Sequence, residues 1–195
     1  MKRLRLAVVV LAALAVTACE NTKPPMQKLP EISFSNLRPF SLDVGQLEIV
    51  SEYVAPGRSP NIEHQMPVSP EGAAQRWAQD RLRPMGKSGF ARVVIRDAKV
   101  VEVPLSIDKG ISGAFKKEQE MRYDAALDVA VQILDPRHMV IAETVARATR
   151  SRTVAEGITL NERDRLLYDI SEGLAKDIDE QLSQLIRNYL GRWVL

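Results

Sequence analysis

A stretch of strict alternation between Arg122 and Ile133 constrains the fold more than any other part of the chain. Every second residue is apolar, and most of the residues between them are charged, polar or small. The apolar positions are Tyr123, Ala125, Leu127, Val129, Val131 and Ile133. A side-chain period of two is that of a β-strand with one buried and one wetted face. The chain must therefore build a sheet around this strand and cover one of its faces.

Two further strands are predicted beside it. Residues 90–105 are rich in valine and isoleucine, and we expect a break or bend near Asp97. The turn Asp135–His138 places Pro136 where a type I turn prefers proline, and a strand from Met139 to Arg152 follows. Alanines on the inner face of that strand leave room for a helix. Together the three strands predict an antiparallel meander with one wetted face.

An earlier strand is predicted from about Phe40 to Tyr53, with a change of phase at Gly45. The large apolar residues before Gly45 have even numbers, and those after it have odd numbers. A period of two cannot change phase without an extra residue, so we expect a bulge or break at Gly45–Gln46.

A first helix is predicted to begin with Ser69 as N-cap and Pro70 at its first position, and to end near Arg83. Trp77 lies at the centre of its apolar face. A large aromatic residue in that position is more often core than a platform for a ligand. We therefore assign Trp77 to the core.

A second helix is predicted from Leu160 to about Leu190. Thr159 and Glu162 have the spacing of a capping box, and apolar residues then recur at three- and four-residue steps. This apolar stripe along the helix is also typical of a two-stranded coiled coil. Packing on the sheet is favoured, because the meander would otherwise leave its apolar face in water.

These elements predict an α+β fold in the order β-α-β-β-β-α. We expect a two-layer sandwich in which a four-stranded, mostly antiparallel sheet carries two helices on one face.

The amino end has the three parts of a secretory signal peptide. Lys2, Arg3 and Arg5 precede an unbroken apolar run over residues 6–16, and small residues lead to Cys19. Eleven apolar residues span about 16 Å as a helix, roughly half of a bilayer core. The run is therefore too short to be a stable membrane anchor by itself.

Val16-Thr17-Ala18-Cys19 resembles the lipobox of bacterial lipoproteins. The resemblance implies that Cys19 takes a diacylglycerol on its sulfur, that cleavage occurs just before it, and that the new amine is acylated, with palmitate among the expected chains. Two or three acyl chains anchor a protein stably, whereas one holds weakly. An ordinary secretory signal that happens to end near a cysteine is the alternative interpretation.

The resemblance divides the chain into a signal peptide (1–18), a lipidated cysteine with a proline-bearing tether (19–30) and a single α+β domain (31–195). Glu20 follows the cysteine. In lipoproteins of enteric bacteria an aspartate there favours retention in the inner membrane, so the resemblance implies an outer-membrane anchor with the domain on the periplasmic side. The inner membrane is the alternative location.

Charge and motifs exclude several functions. The chain has 27 basic and 25 acidic residues, and three of the basic ones lie in the leader, which leaves 24 against 25. A near-neutral domain gives no electrostatic case for nucleic acid. His64 and His138 lack the spacing of metal ligands, and no P-loop, G-x-S-x-G or dinucleotide motif is present. We expect no enzyme activity, metal or cofactor, although two carboxylates brought together by folding would suit a hydrolase.

Two loops are candidate contacts for a partner. A proline-dense segment over residues 56–70 holds a mixed polar and apolar group, and residues 106–115 carry two glycines beside large apolar side chains. The alternatives are a solvated crossover and a plain hairpin connection. The candidate contact residues are Asn61, Ile62, Glu63, His64, Ile111 and Phe115.

The order of elements, together with the lipidation site, resembles the lipopolysaccharide-assembly lipoprotein LptE and the auxiliary lipoproteins of ABC-type lipid transport. This implies a non-catalytic accessory that works with an envelope membrane protein. A lipid- or glycan-binding carrier is the alternative. A cavity lined by Ile95, Val129 and Val131 would favour the carrier, and a filled interface would favour the accessory.

Overall fold

The computed structural model describes residues 28–105, 119–155 and 157–195, and the predicted signal peptide, Cys19, Ile111 and Phe115 lie outside these ranges. Two α-helices and seven strands form the described part, with short 3₁₀ turns at Glu63–Gln65 and Gly191–Trp193. In chain order they are β1 (Phe40–Leu42), β2 (Gln46–Ser51), α1 (Pro70–Arg81), β3 (Leu82–Pro84), β4 (Phe90–Asp97), β5 (Val100–Pro104), β6 (Gln119–Leu134), β7 (Val140–Ala155) and α2 (Leu160–Tyr189).

β6, the strand with the strict alternation, is the centre of the main sheet. Along one side it pairs antiparallel first with β5 and then with β4, so β4 and β5 act as one long strand broken after Asp97. Along its other side it pairs antiparallel with β7 over nearly its whole length. The predicted break at Asp97 and the predicted meander are both present.

The expectation of a mostly antiparallel sheet is wrong, because the sheet is mixed. β2 joins the far side of β4 in parallel, with Gln46 opposite Phe90, and β1 pairs in parallel with β3 as a separate two-stranded unit. The chain reaches β4 from β2 through α1, and a helical crossover returns a strand in the same direction. The phase change at Gly45 is a true break that divides β1 from β2.

Both helices pack on one face of the main sheet, and their caps are those that the sequence predicts. Ser69 Oγ accepts the backbone N–H of Gly72 at 3.1 Å, and Thr159 and Glu162 form a reciprocal capping box. The buried face of α2 lies on β7 and β6 and beside α1. The stripe on α2 is therefore used within the chain to cover the sheet.

A buried ion pair joins the two helices. Asp179 Oδ1 accepts hydrogen bonds from Trp77 Nε1 at 2.8 Å and from Arg81 Nε at 2.6 Å. Arg81 is only 4% exposed, and it also donates to Ser183 Oγ at 2.9 Å and to the carbonyl of Arg38. Trp77 is a core residue, as predicted, and its polar edge is satisfied by the neighbouring helix. No helix within the described ranges has the length and apolar character that a membrane span requires.

Candidate interaction surfaces

The proline-dense segment covers the free edge of β5. Ile62 N donates to the carbonyl of Val100 at 3.0 Å, and Glu102 N donates to the carbonyl of Pro60 at 2.9 Å. Asn61 forms an isolated antiparallel bridge with Val101. The segment thus takes the position beside β5 that β2 takes beside β4. A sheet edge with unpaired backbone groups attracts other chains, and here the chain itself closes that edge.

The carboxylate of Glu63 completes this covering. Its Oε1 accepts from the backbone N–H of Val100 at 2.7 Å, from Asn61 Nδ2 at 2.8 Å and from the Tyr53 hydroxyl at 2.8 Å. The residue is 6% exposed, and its Oε2 has no hydrogen-bond partner among the described residues. Glu63 therefore holds the segment against the strand as a backbone acceptor would.

These contacts shift the pKa values of two groups. Burial alone would raise the pKa of Glu63, but the hydrogen bonds from Asn61, Val100 and Tyr53 stabilise the charged form and together hold its pKa below the ordinary value. Burial raises the pKa of Tyr53, and the hydrogen bond to the Glu63 carboxylate raises it further. At neutral pH the pair is a charged carboxylate and a neutral phenol.

The predicted contact residues differ in how far their side chains are buried. Ile62 is 1% exposed and belongs to the core, Glu63 is buried, and Asn61 is partly buried. His64 is exposed and borders a shallow depression of about 350 Å³ beside Leu29 and the first turn of α2. Among the four of these residues that the structure describes, His64 is the exposed one. Ile111 and Phe115 lie outside the described residues and stay predictions.

The opposite end of the molecule presents apolar side chains that the sequence analysis did not single out. β7 begins there at the β6–β7 turn, α2 ends there, and backbone hydrogen bonds bring Met85 N to Leu42 O and Leu195 N to Ser41 O. We call this region the hairpin end. Its exposed apolar residues are Met85, Met139, Val140, Ile141, Tyr189 and Leu195.

The hairpin end is also rich in positive charge. Exposed basic side chains lie on the same segments as the apolar ones, together with the exposed Asp43. The His138 ring stacks on Phe90 with 4.0 Å between the ring centroids. The basic residues are Arg38, Arg83, Lys87, Arg137, Arg187 and Arg192. Three consecutive exposed apolar residues at positions 139–141 were the sequence signal that could have identified this surface.

The sheet face away from the helices carries ion pairs that run across the strands. Arg92 pairs with Glu48 at 2.8 Å and Arg147 with Asp128 at 2.5 Å, and Glu143 accepts from Arg96 at 2.5 Å. Between the ion pairs lies one apolar row that crosses the sheet. It consists of Val50, Val94, Ala130 and Val145, each opposite the next in the strand register.

The space between the sheet and the helices is filled. Ile95, Val129 and Val131 are fully buried in the same cluster as Trp77 and the apolar face of α2. Within the described ranges, no three histidine, cysteine or acidic side chains lie together in a way that would hold a metal ion.

No family model matches the chain, and no curated protein matches it. The chain is similar to a minor lipoprotein from Acinetobacter baumannii, with 15% identity and a TM-score of 0.40, over 74% of this chain and 92% of that one. It is also similar to the rare lipoprotein B from Shewanella oneidensis, with 12% identity and a TM-score of 0.38, over 73% and 95%. A Xanthomonas campestris protein of the family model DUF330 matches with 10% identity and a TM-score of 0.31, over 76% and 94%. At these low scores the likeness assigns neither a family nor a role to this chain.

Proposed function

We propose that this protein is a non-catalytic lipoprotein of the bacterial envelope, anchored through Cys19 to the outer membrane on its periplasmic side. Its role is that of an accessory to a membrane protein in envelope assembly or lipid transport. The observation that carries the accessory role is the filled interface between sheet and helices. The carrier considered above would need a site between the sheet and the helices, and typical small-molecule pockets measure about 300–1,000 Å³.

The position of the anchor supports a partner surface at the hairpin end. Leu29 lies beside the first turn of α2, whereas the hairpin end lies where α2 finishes. The 30 residues of α2 span about 45 Å. The nine residue-to-residue steps from Cys19 to Lys28 reach about 32 Å at full extension. If α2 stands along the membrane normal with its first turn nearest the anchor, the hairpin end faces the periplasm and points away from the membrane that holds the protein.

The chemistry of the hairpin end suits a protein partner. Three of its exposed apolar residues, Met139, Val140 and Ile141, are consecutive, and exposed apolar groups on otherwise polar surfaces mark interaction sites. The positive charge on the same segments favours a partner with acidic groups around an apolar site.

The test is co-purification from detergent-solubilised membranes. An accessory should bring a defined membrane protein, and Ile141→Lys should abolish that association. Val54→Lys is the matched control, because Val54 is also exposed but lies next to the proline-dense segment, and it should retain the partner. A stoichiometric extractable lipid without a protein partner would favour the carrier instead. A Cys19→Ala variant that stays in the outer-membrane fraction would contradict the anchor.

A further inference from the structure

The outer edge of β7 is not paired with another strand in the described part of the chain, whereas the proline-dense segment covers the edge of β5. β7 is 16 residues long and pairs with β6 on its other side. Neither proline nor glycine interrupts it, and the bulge that it carries in the pairing with β6 lies at its start, between Val140 and Ala142. Long edges of this kind are templates for pairing with another chain unless bulges, prolines or covering segments block them.

One contact shows which backbone groups face the unpaired side. Gln181 Nε2 donates to the carbonyl of Arg147 at 3.1 Å, so the carbonyl of Arg147 points away from β6. Backbone groups alternate in direction along a strand, and the odd-numbered neighbours Val145 and Glu143 therefore also face outward. The Arg147 carbonyl has a second lone pair available for another donor.

The charges on β7 favour one register for pairing with a second copy. On the face away from the helices, Glu143 and Arg147 lie two places on either side of Val145. In an antiparallel pair of identical strands, one register sets Glu143 of each copy opposite Arg147 of the other. That register has its two-fold axis at Val145. Registers centred on Glu143 or Arg147 would place like charges opposite each other, which is destabilising.

The other side chains are compatible with this register. Val145 meets its own copy, so the apolar row Val50–Val94–Ala130–Val145 continues across the axis into the second molecule. On the helix side, Thr144 comes opposite Ala146, and Ala142 comes opposite Ala148. These small residues leave no bulky pair beside the axis.

We infer that two copies of this chain pair antiparallel along the outer edge of β7 with the two-fold axis at Val145, which joins their sheets into one. Val145 and its copy then form a hydrogen-bonded pair with about 5.5 Å between their Cα atoms. That distance lies within the range that a disulfide spans. In the same register, Thr149 and its copy lie about eight residues apart along the strands, which separates their Cα atoms by about 27 Å.

Cysteine crosslinking of the full chain in detergent tests this register. Under mild oxidation, Val145→Cys should form a disulfide-linked dimer, and mass spectrometry should find the link between the two copies of the peptide that carries the substitution. Thr149→Cys, on the same strand face, and the parent with Cys19 alone should not form a link in β7. Equal crosslinking of the two variants, or none in Val145→Cys, would overturn the inference.

Sedimentation of the wild type and of Val145→Lys provides a second readout. The wild type should have twice the monomer mass, and two lysines opposite each other at the axis should return it to the monomer. Val145→Thr should stay dimeric, and circular dichroism should show all three folded. A monomeric wild type, or a lysine variant that stays dimeric, would refute the interface.

Discussion

The carboxylate of Glu63 accepts the backbone N–H of Val100 at 2.7 Å and so joins the proline-dense segment to the edge of β5. The same oxygen also accepts from Asn61 and Tyr53. A residue that the sequence marked as a partner contact therefore serves the fold. Because the segment replaces a missing strand, loss of this carboxylate should loosen the edge of the sheet.

We expect Glu63→Gln to destabilise the protein by about 1–3 kcal/mol, because an amide nitrogen would be buried where Oε2 now lies without a partner. Urea unfolding measures the change in the free energy of unfolding. Glu52→Gln is the matched control, since Glu52 is exposed just after β2 and should change stability little. If Glu63→Gln left the free energy of unfolding unchanged, the carboxylate would not be holding the proline-dense segment.

The contribution of Glu63 should depend on pH. Burial opposes ionisation, yet the hydrogen bonds lower its pKa below the unfolded value of about 4.3. A group with a lowered folded pKa stabilises the protein above the unfolded pKa, and this stability is lost as the pH falls through the folded pKa. The difference in unfolding free energy between wild type and Glu63→Gln should therefore be constant from about pH 6 to 7 and shrink below about pH 4. If this difference in unfolding free energy grew as the pH fell, the predicted direction of the Glu63 pKa shift would be contradicted.

Gly173 lies inside a helix, and alanine there should displace a neighbouring side chain. A Cβ at this position would be 2.5 Å from Arg150 Nε, and Arg150 crosses the helix at this point to bind both oxygens of Asp177 at 2.8 and 3.0 Å. We expect Gly173→Ala to lose this partly exposed ion pair, at a cost of about 1 kcal/mol that offsets the gain of about 1 kcal/mol in helix propensity and leaves the free energy of unfolding nearly unchanged. In an Asp177→Ala background the pair is already absent, so the same substitution should stabilise the protein by about 1 kcal/mol. Gly191→Ala, which meets no neighbouring atom, is the control.

The buried ion pair between Arg81 and Asp179 should contribute strongly to the stability of the fold. Asp179→Ala would leave Arg81 as a buried cation and Trp77 Nε1 without an acceptor. Breaking a buried pair by removing one partner costs about 3–5 kcal/mol. Asp169→Ala removes an exposed pair with Arg165 and should cost less than about 1 kcal/mol. Thermal unfolding of both variants compares them, and equal losses would show that burial does not set the strength of the pair.

Local patterns in the sequence predicted the elements well. The alternation from Tyr123 to Ile133 lies within β6, and the Thr159–Glu162 capping box begins α2. These features depend on neighbours in the sequence, because strand periodicity and helix caps are formed by residues only a few positions apart. The break at Gly45 was predicted for the same reason.

Contacts between residues that are far apart in the sequence could not be predicted from such local patterns. The parallel pairing of β2 with β4 depends on the path of the crossover, and the burial of Glu63 depends on Val100 being beside it. The hairpin end likewise comes from the ends of several elements that meet only in the fold. Side-chain period reveals which face of a strand is buried, but it does not reveal the neighbour of that strand.

Mass spectrometry of the protein purified from membranes tests the lipid anchor. We expect a mature chain that begins at Cys19 and carries a diacylglycerol on the sulfur, with a further acyl chain on the amine. A free thiol at Cys19, or a chain that still carries residues 1–18, would contradict the anchor and the accessory role built on it.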